Sequence, residues 1–313
     1  MIDITAVGEI LIDLTQSGVN ALGIPVFAAN PGGAPANLAV AAARLGASTA
    51  FIGKVGTDSF GTFLRNTLIE NKVDVSGMVT DMYSRTTLAV VAVDKQGERT
   101  FSFYRDPSAD VNLRAEEISD EQLKTTKFLH FGSVSLTTDP ARTATLHAAK
   151  TAKGYGAVIS YDPNYRASLW SDEATAIERM LEPLAMVDVV KVSDEELPLL
   201  TGTEDLEEGS RILADKGIAL VLVTLGANGA FYRFKGCTGH VPGMKVKVGD
   251  TNGAGDTFFG ATLAQLAKFD ALDTITTEEL ERILAVSNKA AGITTSRHGA
   301  IPAMPTQEEV FGE

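Results

Sequence analysis

The stretch KFLHFGSVSLTTDPARTATLHAAKTAKGYGAVISYDPN, residues 127–164, decides the fold. It begins and ends with short apolar runs, KFLHFGSV and AVISYDPN, which lack strict alternation with polar residues, as is typical of strands buried on both faces. Between them, ARTATLHAAKTAKGYG has the character of a helix that closes on glycine. A strand, a helix and a second strand in this order predict a parallel pair joined by a crossover helix.

The same alternation continues toward the C-terminus. VDVVKVS (187–193) and ALVLVTLG (219–226) have the composition of buried strands, and EATAIERMLEPLA (173–185) and GSRILADKG (209–217) that of helices. We therefore predict an α/β fold with a mostly parallel central sheet and helices on both of its faces. Ligands of such sheets bind at the carboxyl ends of the strands.

Two β-rich regions interrupt this alternation, about 11–27 and 85–105. Neither is followed by a crossover helix, and the second contains a DKQG turn between two β-rich runs. We predict that they form a small β-sheet lid, which covers a site or pairs with another subunit. The second arrangement would make the protein a homodimer.

Composition narrows the class of protein. The chain has 313 residues, 44% of them hydrophobic, and 27 basic against 40 acidic side chains give a net charge of −13. This balance disfavours nucleic acid and anionic membrane surfaces as partners. The single cysteine, Cys237, excludes an intramolecular disulfide and fits a reducing compartment. No stretch approaches a membrane span, so we predict a cytoplasmic protein.

The stretch DTNGAGDTFFG, residues 250–260, places bare backbone in front of a predicted helix. Gly253, Ala254 and Gly255 would expose N–H groups at a helix N-terminus, where an anion is favoured, and Asp256 beside them could act as a base. The alternative is a glycine-rich turn in which Asp256 is an ordinary N-cap.

A second glycine pair stands in NPGGAPANLAVAAARLG, residues 30–46. Gly32 and Gly33 allow close approach of the backbone to a ligand. Asn37 at the start of the following helix is either a cap or a polar contact to a substrate, and taken alone the cap is favoured. Further on, YDPNYR places Asp162, Asn164 and Arg166 at the carboxyl end of a strand, where VSDEE and TLGANG also end theirs.

These motifs, in this order, resemble those of the ribokinase-like (PfkB-type) sugar kinase family over essentially the whole chain. Both family signatures are present, GGAPANLAVAAARLGASTAFIGKVGTDSFG (32–61) and DTNGAGDTFFGA (250–261), and FYRDPSAD, YDPNYR, VKVSDEELPLLTG and VTLGANG resemble fructokinases most closely. The resemblance implies one domain over 1–313 with a Rossmann-like sheet. It also implies ATP-dependent phosphorylation of a sugar, most simply of D-fructose to fructose 6-phosphate.

The resemblance also implies roles for individual residues. Asp256 would be the base, and the N–H groups of Gly253, Ala254, Gly255 and Asp256 would hold the transferred phosphoryl group. The implied sugar-binding residues are Asp13, Gly32, Gly33, Asn37, Arg105 and Arg166. The implied nucleotide-binding residues are Lys191, Ser193, Thr224, Gly226, Gly229 and Asn288.

Metal ions are implied in the same way. Magnesium would be arranged indirectly through Glu196, in an N-x-x-E element whose first position here is Ser193. The resemblance also allows a monovalent cation such as K⁺ near Asp250 and Gly299. Asn252, at a position where threonine is commoner, would contribute only its carbonyl oxygen to that cation.

Alternative functions remain open at this point. Arg105 and Arg166 near one sugar are also consistent with a sugar acid such as 2-keto-3-deoxygluconate, because guanidinium groups favour carboxylates. Another hexose is a further alternative. A catalytically inactive regulatory relative would be expected to lose the acid or the glycines, which are present here. A dinucleotide-binding dehydrogenase is disfavoured because GEILID, and not G-x-G-x-x-G, follows the first strand.

Overall fold

The computed structural model describes residues 1–93 and 99–312. Its strands are β1 (Ile2–Val7), β2 (Leu11–Val19), β3 (Pro25–Gly32), β4 (Thr49–Gly56), β5 (Val73–Asp74), β6 (Met78–Asp81), β7 (Leu88–Val93), β8 (Arg99–Tyr104), β9 (Thr126–Gly132), β10 (Val158–Asp162), β11 (Val189–Ser193), β12 (Leu220–Thr224), β13 (Ala230–Phe234) and β14 (Cys237–Val241). Its α-helices are α1 (Ala34–Arg44), α2 (Ser59–Glu70), α3 (Asp120–Lys124), α4 (Ala141–Gly154), α5 (Glu173–Leu181), α6 (Glu196–Thr201), α7 (Leu206–Ala214), α8 (Ala254–Leu266), α9 (Thr277–Thr295) and α10 (Gln307–Phe311).

The central sheet has ten strands in the order β14-β13-β12-β11-β10-β9-β1-β4-β5, with β6 paired to β4. The strands from β12 to β5 are parallel, whereas β13 and β14 add an antiparallel edge. The strand, helix and strand predicted from residues 127–164 are β9, α4 and β10, and β9 pairs with β10 in parallel. The predicted α/β fold is confirmed.

Both faces of this sheet are buried, which explains why the strands lack alternation. Along β12, Val221 and Val223 face a core that includes residues of α4 to α7, whereas Leu220 and Leu222 face a core built largely from α1, α8 and α9. Apolar residues are therefore required at successive positions of the strand.

A separate four-stranded sheet forms the lid, in the order β3-β2-β7-β8. Its hairpins β2–β3 and β7–β8 are antiparallel, and β2 pairs with β7 in parallel. The lid extends beyond the predicted residue 27, because Gly32 still pairs with Leu11. Pro31 suggests that pairing has ended, but β3 is an edge strand, where proline is tolerated. The predicted DKQG turn (94–97) lies outside the described residues.

Within the described part of the chain, no helix combines the length and apolar character needed to cross a bilayer.

Candidate active site

The site lies where the chain reverses direction across the central sheet. β1 and β9 are neighbours, and the chain runs from β1 toward β4 on one side and from β9 to β10 on the other. The connections at their carboxyl ends therefore diverge and leave a crevice, which is where ligands bind in such sheets. The ends of β10, β11 and β12 reach the same rim, and so does the N-terminus of α8. The predicted convergence of YDPNYR, VSDEE and TLGANG follows from this parallel arrangement.

The helix α8 begins with bare backbone, as predicted. Its N-cap is Gly253 with φ of 74°, and a Cβ there would lie 2.8 Å from the Cβ of Ala300. No side chain caps the helix, and Asp256 is its third residue. The alternative of Asp256 as an N-cap is therefore wrong, and the first turn keeps the N–H donors that an anion needs.

The Asp256 carboxylate is buried and held by two amides. Oδ2 accepts a hydrogen bond from Asn37 Nδ2 at 2.8 Å, and Oδ1 accepts one from Asn164 Nδ2 at 3.1 Å. Burial raises the pKa of Asp256 above its ordinary value, while the two amides and nearby cations oppose that rise. Asn37 does not cap α1, because the N-cap is Gly33; it instead contacts the predicted base.

A polar pocket opens in front of Asp256. Its lining includes strands β2 and β8 of the lid, the turns after β1, β9 and β10, the start of α1 and the turn into α8. Predicted sugar-binding residues on its wall are Asp13, Gly33, Asn37 and Arg166. Gly32 stands behind Asp13, where a Cβ would lie 2.4 Å from Asp13 Oδ2. The sequence-predicted residues of this group thus meet in one place, apart from Arg105.

Asp13 is the carboxylate that the lid contributes to this pocket, beside the apolar residues Leu11 and Phe103. Its side chain is buried, and burial raises its pKa to about 6. Asn252 Nδ2 reaches Asp13 Oδ2 at 3.4 Å. The side chain of Asn252 therefore joins the turn before α8 to the lid, while the contact of its carbonyl oxygen with a monovalent cation stays a prediction.

Arg105 and Arg166 occupy different environments. Arg105 Nε pairs with Asp110 Oδ2 at 2.7 Å, and its other nitrogens donate to Thr137 Oγ1 and to the carbonyl oxygen of Val134. Its guanidinium thus fastens the end of β8 to the main domain. Arg166 lines the pocket, and its charge opposes the rise that burial causes in the pKa of Asp13 and of Asp256.

A cavity of 540 Å³ lies on the other side of the α8 turn. Four predicted nucleotide-binding residues line it: Thr224, Gly226, Gly229 and Asn288. Ala254 and Gly255 line it as well, so the first turn of α8 borders this cavity while Asp256 borders the polar pocket. The N–H of Ala254 also donates to the carbonyl oxygen of Thr251 at 3.4 Å. Asn288 Nδ2 donates to the carbonyl oxygens of Val241 and Pro242, which holds the wall in place.

Beneath the α8 turn lies a buried charge cluster. Lys191 Nζ pairs with Asp162 Oδ2 at 2.8 Å, and a Cβ added at Gly255 would lie 3.2 Å from Lys191 Nζ. Burial alone would lower the pKa of Lys191, but Asp162 and Glu196 raise it above its ordinary value. A permanent cation therefore stands under the predicted phosphoryl site.

The predicted metal-associated carboxylates are engaged with backbone N–H groups. Glu196 Oε1 accepts from Tyr165 N at 2.6 Å and Oε2 from Ser193 N at 2.8 Å, while Ser193 Oγ accepts from Glu196 N. Asp250 accepts from the N–H groups of Asn252 and Gly299. The described residues contain no cluster of three metal-ligating side chains. An indirect, water-mediated role for Glu196 fits this arrangement, since each oxygen keeps a lone pair.

Sequence reasoning gave no role to Glu9 and Asn164. Both line the polar pocket, and Asn164 contacts Asp256 directly. A signal was present for each, since Glu9 follows the first strand and Asn164 follows β10, at the rim where ligands bind.

Comparison with known proteins places this geometry in a family. The model of the pfkB family carbohydrate kinases matches residues 1–307. The chain belongs to the pfkB family of carbohydrate kinases. It is therefore a phosphotransferase, and the members of its family transfer the phosphoryl group to a sugar hydroxyl.

Individual members of the pfkB family resemble the chain over nearly its full length. Probable fructokinase-6, chloroplastic, of Arabidopsis thaliana is 45% identical, covering 97% of this chain and 80% of the plant protein. Fructokinase-1 of Zea mays is 43% identical, covering 98% and 96%.

Solved pfkB structures agree with this fold. The fructokinase of Xylella fastidiosa with bound ATP has a TM-score of 0.93 at 34% identity, covering 100% of this chain and 98% of that one. A double mutant of the Vibrio cholerae O395 fructokinase, with fructose, ADP and potassium ion bound, has a TM-score of 0.89 at 35% identity, covering 99% and 97%.

Proposed function

We propose that this protein is an ATP-dependent fructokinase that phosphorylates D-fructose to fructose 6-phosphate. One observation carries the proposal: a single turn, residues 253–256, separates the polar pocket from the 540 Å³ cavity. The buried carboxylate of Asp256 lines the pocket, and Ala254 and Gly255 at the start of α8 line the cavity. A transferring phosphoryl group would stand between them.

The transfer follows from this placement. Asp256 accepts the proton of the sugar hydroxyl as that oxygen bonds to the γ-phosphorus, and the bond from phosphorus to the bridging oxygen breaks to release ADP. The N–H groups of α8 hold the charge on the equatorial oxygens, and Lys191 adds a positive charge below them. Magnesium, when bound through the nucleotide phosphates and water near Glu196, neutralises charge on the β- and γ-phosphates.

The pocket's charge supports a neutral sugar over a sugar acid. Three carboxylates line it, from Glu9, Asp13 and Asp256, against one guanidinium, that of Arg166. Arg105, which sequence reasoning offered as a second cation for a substrate carboxylate, is paired with Asp110. A sugar carboxylate would meet net repulsion here, which supports fructose over 2-keto-3-deoxygluconate.

Two further elements of the proposal concern ions and assembly. Asp250 would lie beside a monovalent cation such as K⁺, because it ties the turn before α8 to Gly299.

The lid would mediate a homodimer, because it exposes large apolar side chains: Val19, Val26, Phe27 and Tyr104 are 62%, 42%, 44% and 66% exposed. The single cysteine is consistent with a reducing compartment such as the cytoplasm.

The test of substrate is ADP release with Mg·ATP on fructose, glucose, ribose, adenosine and 2-keto-3-deoxygluconate. We expect fructose to give the highest kcat/KM. Preference for the sugar acid would keep the phosphoryl-transfer mechanism and reject fructose as the substrate.

Sedimentation of the protein at micromolar concentration with the mass of one chain would reject the homodimer.

A further inference from the structure

A carboxylate with no assigned role stands at the switch point of the central sheet. Glu9 lies two residues beyond the end of β1, is only 2% exposed and lines the polar pocket that also holds Asp13 and Asp256. A buried carboxylate is rare unless its oxygens are hydrogen-bonded. The partners of its two oxygens therefore indicate what the residue does.

Only one oxygen of Glu9 is satisfied. Oε1 accepts a hydrogen bond from the backbone N–H of Ala34, the first residue of α1, at 3.0 Å. Oε2 is buried and has no hydrogen-bond partner among the residues that the structure describes. A buried acceptor without a donor costs stability. The presence of Oε2 at this pocket therefore favours a donor that a ligand supplies.

The neighbouring charged groups do not supply that donor. Burial raises the pKa of Glu9 to about 7, and the backbone N–H groups of Glu9 itself and of Ala34 oppose that rise. Among charged side chains, Arg105 lowers this pKa and Asp110 raises it. The hydrogen bonds of Arg105 go to Asp110, Thr137 and the carbonyl oxygen of Val134. Arg105, which is paired with Asp110, therefore acts on Glu9 only from a distance and donates no hydrogen bond to Oε2.

The backbone around Glu9 is shaped to bring α1 close to it. Gly33 has φ of 107°, and a Cβ there would lie 2.6 Å from the carbonyl oxygen of Glu9. Glycine at this position lets the start of α1 approach Glu9, so that one carboxylate can contact both Ala34 and the pocket.

We propose that Glu9 is a specificity-determining residue whose free Oε2 hydrogen-bonds a sugar hydroxyl other than the one that is phosphorylated. The proposal rests on the proposed sugar kinase function. With Asp13 it would hold the sugar at two hydroxyls, so that the reacting hydroxyl faces Asp256. The competing explanation is that Glu9 only caps α1.

The variant Glu9→Gln separates these explanations. Its carbonyl oxygen can still accept from Ala34 N–H, while an NH₂ group replaces Oε2. At pH 8, above the raised pKa of Glu9, we expect KM for fructose to rise by about ten- to a hundredfold, the usual effect of a hydrogen bond to a charged group, with KM for ATP and Tm little changed. Glu116→Gln, at a side chain 72% exposed, is the matched control and should leave both KM values unchanged.

Fructose analogues that each lack one hydroxyl, such as 1-deoxy-D-fructose and 2,5-anhydro-D-mannitol, complete the test. The analogue without the contacted hydroxyl should bind the wild-type protein more weakly, and Glu9→Gln should weaken it no further. An unchanged KM for fructose in Glu9→Gln, or an equal additional loss on every analogue, would overturn the proposal. If the wild-type protein prefers another sugar, that sugar and its deoxy analogues replace fructose, so failure of the substrate assignment is recognised separately.

Discussion

Replacing Asp256 by asparagine removes the proposed base while keeping the shape of the site. The carboxylate accepts one amide hydrogen bond on each oxygen, from Asn37 and Asn164. A new amide at position 256 would set one NH₂ group against another. Asn37 can relieve this conflict by turning its own amide over, because its Oδ1 has no partner among the described residues. The packing around Asp256→Asn should therefore survive.

The expected loss is then that of a proton acceptor alone. General base catalysis contributes about 10²- to 10⁴-fold, which corresponds to about 2.7–5.5 kcal/mol in the activation free energy. We expect kcat for ADP release with fructose to fall by this factor, with less than a tenfold change in KM for either substrate. A kcat of Asp256→Asn within tenfold of the wild type would refute the assignment of the base.

Asp256→Asn, which should lower activity, should not lower stability at pH 8. Burial raises the pKa of Asp256 above the ordinary carboxyl value of 3.8, so the folded state binds its proton more readily than the unfolded state does. The contribution of this group to stability is therefore greatest at acid pH and is lost as pH rises through the raised pKa. At pH 8, Tm of Asp256→Asn should equal or exceed that of the wild type, and its advantage should shrink on acidification. A Tm deficit that does not depend on pH would indicate damaged packing instead.

Three further predictions concern the surroundings of the base. Because burial raises the pKa of Asp13 to about 6 and that of Glu9 to about 7, kcat/KM for fructose should fall as pH drops from about 7 to below 6, and a profile flat down to pH 5 would contradict this. Gly32→Ala, whose Cβ would meet the Asp13 carboxylate, should raise KM for fructose at least tenfold and spare KM for ATP, while Gly154→Ala, with open space around it, should alter neither. Lys191→Met leaves buried Asp162 unpaired and should lower the free energy of unfolding by about 3–5 kcal/mol in urea titrations, a loss that adding Asp162→Asn should partly restore.

The sequence predicts the central fold well because the evidence for it is local. The runs that became β9 to β12 are apolar at successive positions, and each is linked to the next by a segment of helical pattern. Parallel pairing and the position of the site at the carboxyl ends of the strands follow from that pattern alone. The end of the lid was harder, since Pro31 indicates a break that an edge strand does not need.

Individual side-chain contacts could not be predicted in the same way. Asn37 and Asp256 are 219 positions apart, and Asn37 alone has the appearance of a cap. Arg105 was expected to reach a substrate, but Asp110, only five positions away, pairs with it, and strand geometry alone does not determine such a pairing. The sequence determines the rim on which these residues stand, whereas their partners depend on the tertiary structure.

The contact of Asn252 with Asp13 joins parts of the protein that belong to different sheets. Asp13 lies on lid strand β2, and Asn252 lies in the turn that leads into α8. If a sugar draws the lid inward, this contact would also tighten the turn proposed to receive the γ-phosphate, and by thermodynamic reciprocity a bound nucleotide would favour the closed lid to the same extent. Without a sugar nothing would draw the lid inward or tighten this turn, so we expect hydrolysis of ATP by water to be slow. Economy of ATP would then be a consequence of how the lid and the nucleotide turn are joined.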